Sequence, residues 1–170
     1  MCNNPKNKAE QAKYRSNIVD FFIIFKWSII ICLFCFHWTN SFLTLLVWYL
    51  LVTNVYSYFY HHIWSDNSYE SINLTADRSR RRFMLLMLSV IYSDFCFSYL
   101  YCFPYNSDFI WRNGASTTKA IWYSISNSLA ANYCEIQPVT DLGNSVAMTQ
   151  LILSFIFITI ILSRSIPKKN

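Results

Sequence analysis

Two cysteines three positions apart, a histidine pair and two charges inside apolar sequence are the groups in this chain whose types and spacing suit chemistry. Cys32-x-x-Cys35 has the spacing of a redox pair. It falls inside an apolar run with no histidine cluster to match, and reads as two packed thiols. His61 and His62 are neighbours, and neighbours on a helix point about 100° apart, so they need a third ligand to share a metal. His37 stands alone. No nucleophile, base and oxyanion donor fall into a cluster. The sequence therefore supports no enzyme, no catalytic residue, no metal and no cofactor. The charges carry more. Asp94 lies about 16 Å into an apolar run at ~1.5 Å per residue. An ionised carboxylate there is expensive, so it is protonated, solvated or paired. Lys26, in another apolar run, is its candidate partner in an intramembrane charge pair; the alternative is that its ammonium snorkels to the headgroups.

The elements that must position these groups follow from composition. Of 170 residues, 54% are hydrophobic and 14% charged, against about 25% charged in soluble domains. A water-soluble domain is a poor reading. Four runs reach the ~20 apolar residues that cross a bilayer as a helix: Ile18 to Trp38, Phe42 to Trp64, Phe83 to Phe103 and Leu142 to Leu162. The link through Thr39, Asn40 and Ser41 makes the first two an antiparallel hairpin. Lys and Arg collect in the N-terminal segment, in the Arg78 to Arg82 link and at the C-terminus, so the positive-inside rule puts all three, and both termini, in the cytoplasm. The net charge of +5 is thus topological and points to membrane lipid rather than nucleic acid. Asn73-Leu-Thr75 fits the glycosylation pattern but falls on the cytoplasmic side.

The expected architecture is an all-α, multi-pass integral membrane protein with four transmembrane helices. Its parts are a cytoplasmic N-terminal tail (1–17), a transmembrane hairpin (18–64), a basic cytoplasmic linker (65–82), a module of two spans around a re-entrant segment (83–164) and a cytoplasmic tail (165–170). The connection from Pro104 to Asp141 is too long for a turn. Within it Thr117 to Ala131 reads as a short helix with an apolar side made by Ala120, Ile121, Ser124, Ile125, Ser128 and Leu129. Too short to span, it suits a re-entrant dip. Pro138 then stops helical continuation and Gly143 enters the last span.

Here the residues resemble a known family. Outer helix, short helix, irregular segment and inner helix look like the pore module of tetrameric potassium channels. Ala120-Ile-Trp-Tyr-Ser124 resembles the start of that family's pore helix, and Pro138-Val139-Thr140-Asp141-Leu142-Gly143 matches its Pro-x-Thr-x-x-Gly between filter and inner helix. The resemblance covers roughly Phe83 to Leu162. Where the family has Thr-Val-Gly-Tyr-Gly and an acidic residue, this chain has Ala130, Ala131, Asn132, Tyr133, Cys134 and Glu135. Tyr133 and Glu135 are kept, while the threonine and both glycines are lost. Family filters replace an ion's hydration shell with backbone carbonyls, and glycine lets successive carbonyls face the axis. Asn132 tolerates left-handed backbone; Ala130 removes a hydroxyl ligand.

The resemblance implies a cation channel subunit, passing a monovalent cation such as potassium with relaxed selectivity, as a homotetramer or beside other pore-loop subunits. The competing expectation is a non-conducting four-helix membrane protein with a structural, regulatory or interaction role. On the inner helix Leu151, Phe155, Ile158 and Leu162 share a stripe that would line an apolar gate, with Ser154 where many family members have a glycine hinge. No span carries the repeated arginines of a voltage sensor.

Overall fold

The computed structural model describes the backbone of residues 5–63 and 76–165, and the side chains of residues 21–57 and 83–160. The chain divides into two compact units, Met1–His37 and Trp38–Asn170. The first contains helix α1, Pro5–Phe36. It begins well before the expected start at Ile18. Proline suits the first helical position, and the polar stretch behind it is rich in Lys, Ala, Glu and Gln, strong helix formers with no apolar period to announce them. The helix ends at His37, whose φ of 51° turns the backbone into the left-handed region.

The second unit holds α2 (Ser41–Ile63), α3 (Ala76–Cys102), β1 (Phe109–Trp111), α4 (Thr117–Ser128), β2 (Ile136–Pro138) and α5 (Asp141–Ser165). Asn40 caps α2, its side-chain oxygen accepting the Phe42 N–H at 3.3 Å and so satisfying one of the orphan donors of the first turn. Two helical segments are long and apolar enough to cross a membrane, Phe83–Cys102 and Asp141–Ile160, each 20 residues, or about 30 Å. The described apolar stretches of the other two expected spans, Phe21–Phe36 and Ser41–Ser57, are shorter. His61, His62, the Asn73 to Thr75 motif, the Arg78 to Arg82 side chains, Leu162 and the basic side chains of both termini lie outside what is described.

Residues 92–94 and 96–101 of α3 are buried, so this half of the helix is covered all round, as the central element of a helical unit must be. Toward the start of α3, Leu86 packs with Phe157 and Ile160 of α5, flanked by Val55 and Val90. Nearer the other end of α3, Tyr101, Phe109 and Tyr123 meet edge to face with centroids 5.0, 5.0 and 5.7 Å apart. Burial pushes the Tyr123 phenol up to about 12. Asn54 ties α2 to α3 by donating to the Ser89 carbonyl at 3.1 Å and to Ser93 Oγ at 3.2 Å.

One element departs from the all-α expectation. β1 and β2 pair antiparallel, with Phe109 opposite Pro138, Ile110 opposite Gln137 and Trp111 opposite Ile136. The Arg112 N–H extends the ladder to the Glu135 carbonyl at 2.8 Å. Asn113 and Gly114, at φ of 62° and 84°, then turn the chain into α4; both residue types tolerate the left-handed region.

Candidate functional site

Helix α4 buries Ala120, Tyr123, Ser124 and Ser128, one face at helical spacing. The expected apolar side shares three of these. Leu129 is exposed instead, and Tyr123, not expected from the sequence, takes its place. The helix ends in a Schellman arrangement: the Ala130 N–H bonds to the Asn127 carbonyl at 3.0 Å and the Ala131 N–H to the Ser126 carbonyl at 2.7 Å. That motif requires one left-handed residue, usually glycine. Ala130 occupies it at φ 53°. A Cβ in this region costs roughly 1–2 kcal/mol, so Ala130→Gly is expected to raise unfolding stability by about 1 kcal/mol. Chemical denaturation of the purified protein measures this, and an unchanged or lowered midpoint would contradict the assignment.

From Ala130 the chain runs back along α4. Glu135 reaches the first turn of that helix, where its Oε2 lies 3.2 Å from Lys119 Nζ. Lys119 also donates to the Arg112 carbonyl. The six filter candidates are therefore contiguous on the returning segment: Ala130, Ala131, Asn132 and Cys134 are exposed, while Tyr133 and Glu135 are half-buried. The Lys119 contact that fixes their direction was not foreseen.

The match at Pro138 to Gly143 acquires a local cause. Thr140 caps α5, its Oγ1 accepting the Gly143 N–H at 3.0 Å while donating to Asp108 Oδ1 at 2.7 Å. The Asp108 carbonyl accepts the Val139 N–H at 2.9 Å. A Cβ on Gly143 would stand 2.6 Å from that same carbonyl oxygen, so the residue is glycine because backbone passes there.

Behind α4 lies a buried polar network that joins α3, α4 and α5. Gln150 is 1% exposed. Its Nε2 donates to Asp94 Oδ1 at 3.1 Å and to the Ser124 carbonyl and Oγ at 2.9 and 2.6 Å. Its Oε1 accepts from Tyr101 Oη at 2.6 Å and Asn127 Nδ2 at 3.0 Å. Asp94 thus finds a neutral donor on α5. Lys26 belongs to the N-terminal unit, where its ammonium lies 5.3 Å from the centre of the Phe22 ring.

The inner-helix candidates do not share a face. Ser154 is buried on the side of α5 that carries Val146, Ala147, Gln150 and Phe157, whereas Phe155 and Ile158 are exposed and Leu151 is half-buried. One residue along a helix is a turn of about 100°, which separates Ser154 from Phe155. Among the described residues no group of three or more His, Cys, Asp or Glu side chains is placed to hold a metal ion.

No known family model, curated protein or solved structure matches this chain.

Proposed function

We propose that this chain is a potassium-channel-like cation channel subunit whose pore forms only when several copies assemble. The observation that carries the reading is the path of residues 117–135. A short helix and an exposed segment returning along it sit between the two helices long enough to cross a membrane. A single exposed loop encloses nothing, so the reading requires a symmetric ring, a homotetramer or a heteromer with other pore-loop subunits, with Ala130 to Cys134 at the axis. Exposed apolar faces support a lipid setting. On α2, Phe42, Leu45, Tyr49, Val52 and Tyr56 are exposed at alternating spacings of three and four, an apolar stripe of the kind that water-soluble monomers rarely leave open. In this reading the chain has four spans, both ends in the cytoplasm, no catalytic role and no cofactor beyond the permeant cation.

The test is the oligomeric state of the detergent-purified protein together with the position of residues 131–135. Four copies with these segments around one axis are expected; a monomer with the loop flat on its surface would end the proposal. Topology is tested separately. Reporters fused at Asn170 and within residues 66–77 are expected to read cytoplasmic, and a tag near Asn106 to be reachable from outside. A protected Asn106 with an exposed Arg78 to Arg82 link would invert the arrangement.

One observation favours the second reading, a non-conducting membrane protein. The last carbonyls of α4 at Ser126 and Asn127 are taken by the N–H groups of Ala131 and Ala130, and Ala130 offers no hydroxyl. Sodium and potassium flux through a verified tetramer separates the two.

A further inference from the structure

The amide of Gln150 meets donors on one side and acceptors on the other. Tyr101 Oη and Asn127 Nδ2 face its oxygen, while the Asp94 carboxylate and the Ser124 carbonyl and hydroxyl face its nitrogen. Ser124 Oγ itself donates to the Asp94 carbonyl at 2.8 Å, which leaves it an acceptor toward Gln150. Reversing the amide would set donor against donor on one side and acceptor against acceptor on the other, a carboxylate satisfies only the donors, and an apolar side chain satisfies none of the set. A glutamine side chain fits this position because it presents both polarities at one end.

We infer that Gln150 is the positioning residue through which α5 holds the start of the Ala130 to Glu135 segment. Two hydrogen bonds make the path. Gln150 Oε1 accepts from the Asn127 side chain, which also donates to the Ala147 carbonyl at 2.9 Å, and the Asn127 backbone carbonyl accepts the Ala130 N–H at 3.0 Å. Asn127 is therefore clamped to α5 by its side chain while its backbone closes the cap from which the segment departs. Movement of α5 at Gln150 shifts the residue that fixes Ala130. Tyr101 and Asp94 brace the same amide from α3, so the segment's departure is set by two long helices and not by α4 alone.

Cys134, exposed on that segment, is a native reporter. The full-length chain in nanodiscs is labelled with a membrane-impermeant maleimide, and the rate at Cys134 is followed by peptide mass spectrometry, which separates it from the other cysteines. Gln150→Met keeps length and removes every polar contact; the Cys134 rate is expected to rise about tenfold, as loss of a buried hydrogen-bonded clamp permits. Asn127→Ser, half-buried and milder, is expected to do the same and serves if Gln150→Met does not fold. The double variant should exceed neither single by more than about twofold, because both cut one path. Phe157→Leu, a comparable loss on the same buried side of α5 but outside the network, should leave the rate within about twofold of native. The inference is overturned if the network variants leave Cys134 unchanged, if their effects multiply, or if Phe157→Leu accelerates labelling as much. Its consequence for ion passage rests on the pore-loop reading, but the thiol rate does not. A tenfold change in a chain that forms no ring sustains the positioning role and removes the pore.

Discussion

Gly143→Val is expected to destabilise the protein by roughly 2–4 kcal/mol, the range of severe overpacking, and Gly143→Ala by less but in the same direction. On an open helix Gly→Ala gains about 1 kcal/mol, so the sign itself is diagnostic. A Cβ at this position stands 2.6 Å from the Asp108 carbonyl oxygen and 3.3 Å from its Cβ. The obstacle is backbone and cannot rotate aside. Asp108 is moreover held on three sides: its carbonyl accepts the Val139 N–H, its N–H bonds to the Tyr105 carbonyl at 2.9 Å, and its carboxylate accepts the Thr140 hydroxyl. Relief therefore means breaking the Thr140 cap or parting α5 from the preceding turn. Equilibrium unfolding in mixed micelles reads the effect. A Gly143→Ala protein at least as stable as native would show that the close approach is not maintained.

Restoring the family residues as Ala130→Thr, Ala131→Val, Asn132→Gly and Cys134→Gly is expected to convert a homomer that discriminates poorly between potassium and sodium, or passes no current, into a potassium-selective one. A threonine hydroxyl in place of the Ala130 methyl supplies an oxygen that alanine lacks, and the two glycines admit the backbone angles that let neighbouring carbonyls face one axis. The same change has a cost that the structure locates. Position 130 sits at φ 53°, where a β-branched residue is a genuine outlier. The Schellman cap must then open, which frees the Ser126 and Asn127 carbonyls at the negative end of the α4 dipole. Reversal potentials in planar bilayers under a potassium and sodium gradient decide the matter. A native homomer already strongly selective for potassium would refute the carbonyl argument, and a restored protein that stays silent as a confirmed tetramer would favour the non-conducting reading.

What the sequence made legible was what a run or a marker residue signals. The apolar runs signalled the long helices but not the start of α1 at Pro5, Pro138 marked the stop before α5, and Gly143 marked its entry. The apolar side expected over residues 117–131 marked the start of α4 at Thr117 but ran three residues past its end at Ser128. Three features left no comparable trace. The β1 and β2 strands are three residues each, too short for an alternating pattern to emerge. Ala130 carries no hint of left-handed backbone, which glycine at the same position would have announced. The Asp94 to Gln150 contact joins residues far apart in the chain, and the hinge-position reading of Ser154 carried no sign that it shares a buried side with Gln150 and Phe157. The charge on Asp94 flagged the site, but the sequence gave no reason to weigh a neutral amide on α5 as a partner.

The ladder between β1 and β2 has a bearing on how this region tolerates change. Because Phe109 and Pro138 are paired, everything between them is an excursion that leaves and rejoins the unit at neighbouring points, about 4.8 Å apart across the strands. Lengthening or shortening the excursion at its Asn113–Gly114 turn does not move the ends of α3 and α5, and loop closure grows only slowly more costly with length. The strands confine such freedom to the Asn113–Gly114 turn: α4, tied to α3 and α5 through Ser124 and Asn127, keeps its place with the two helices that frame it.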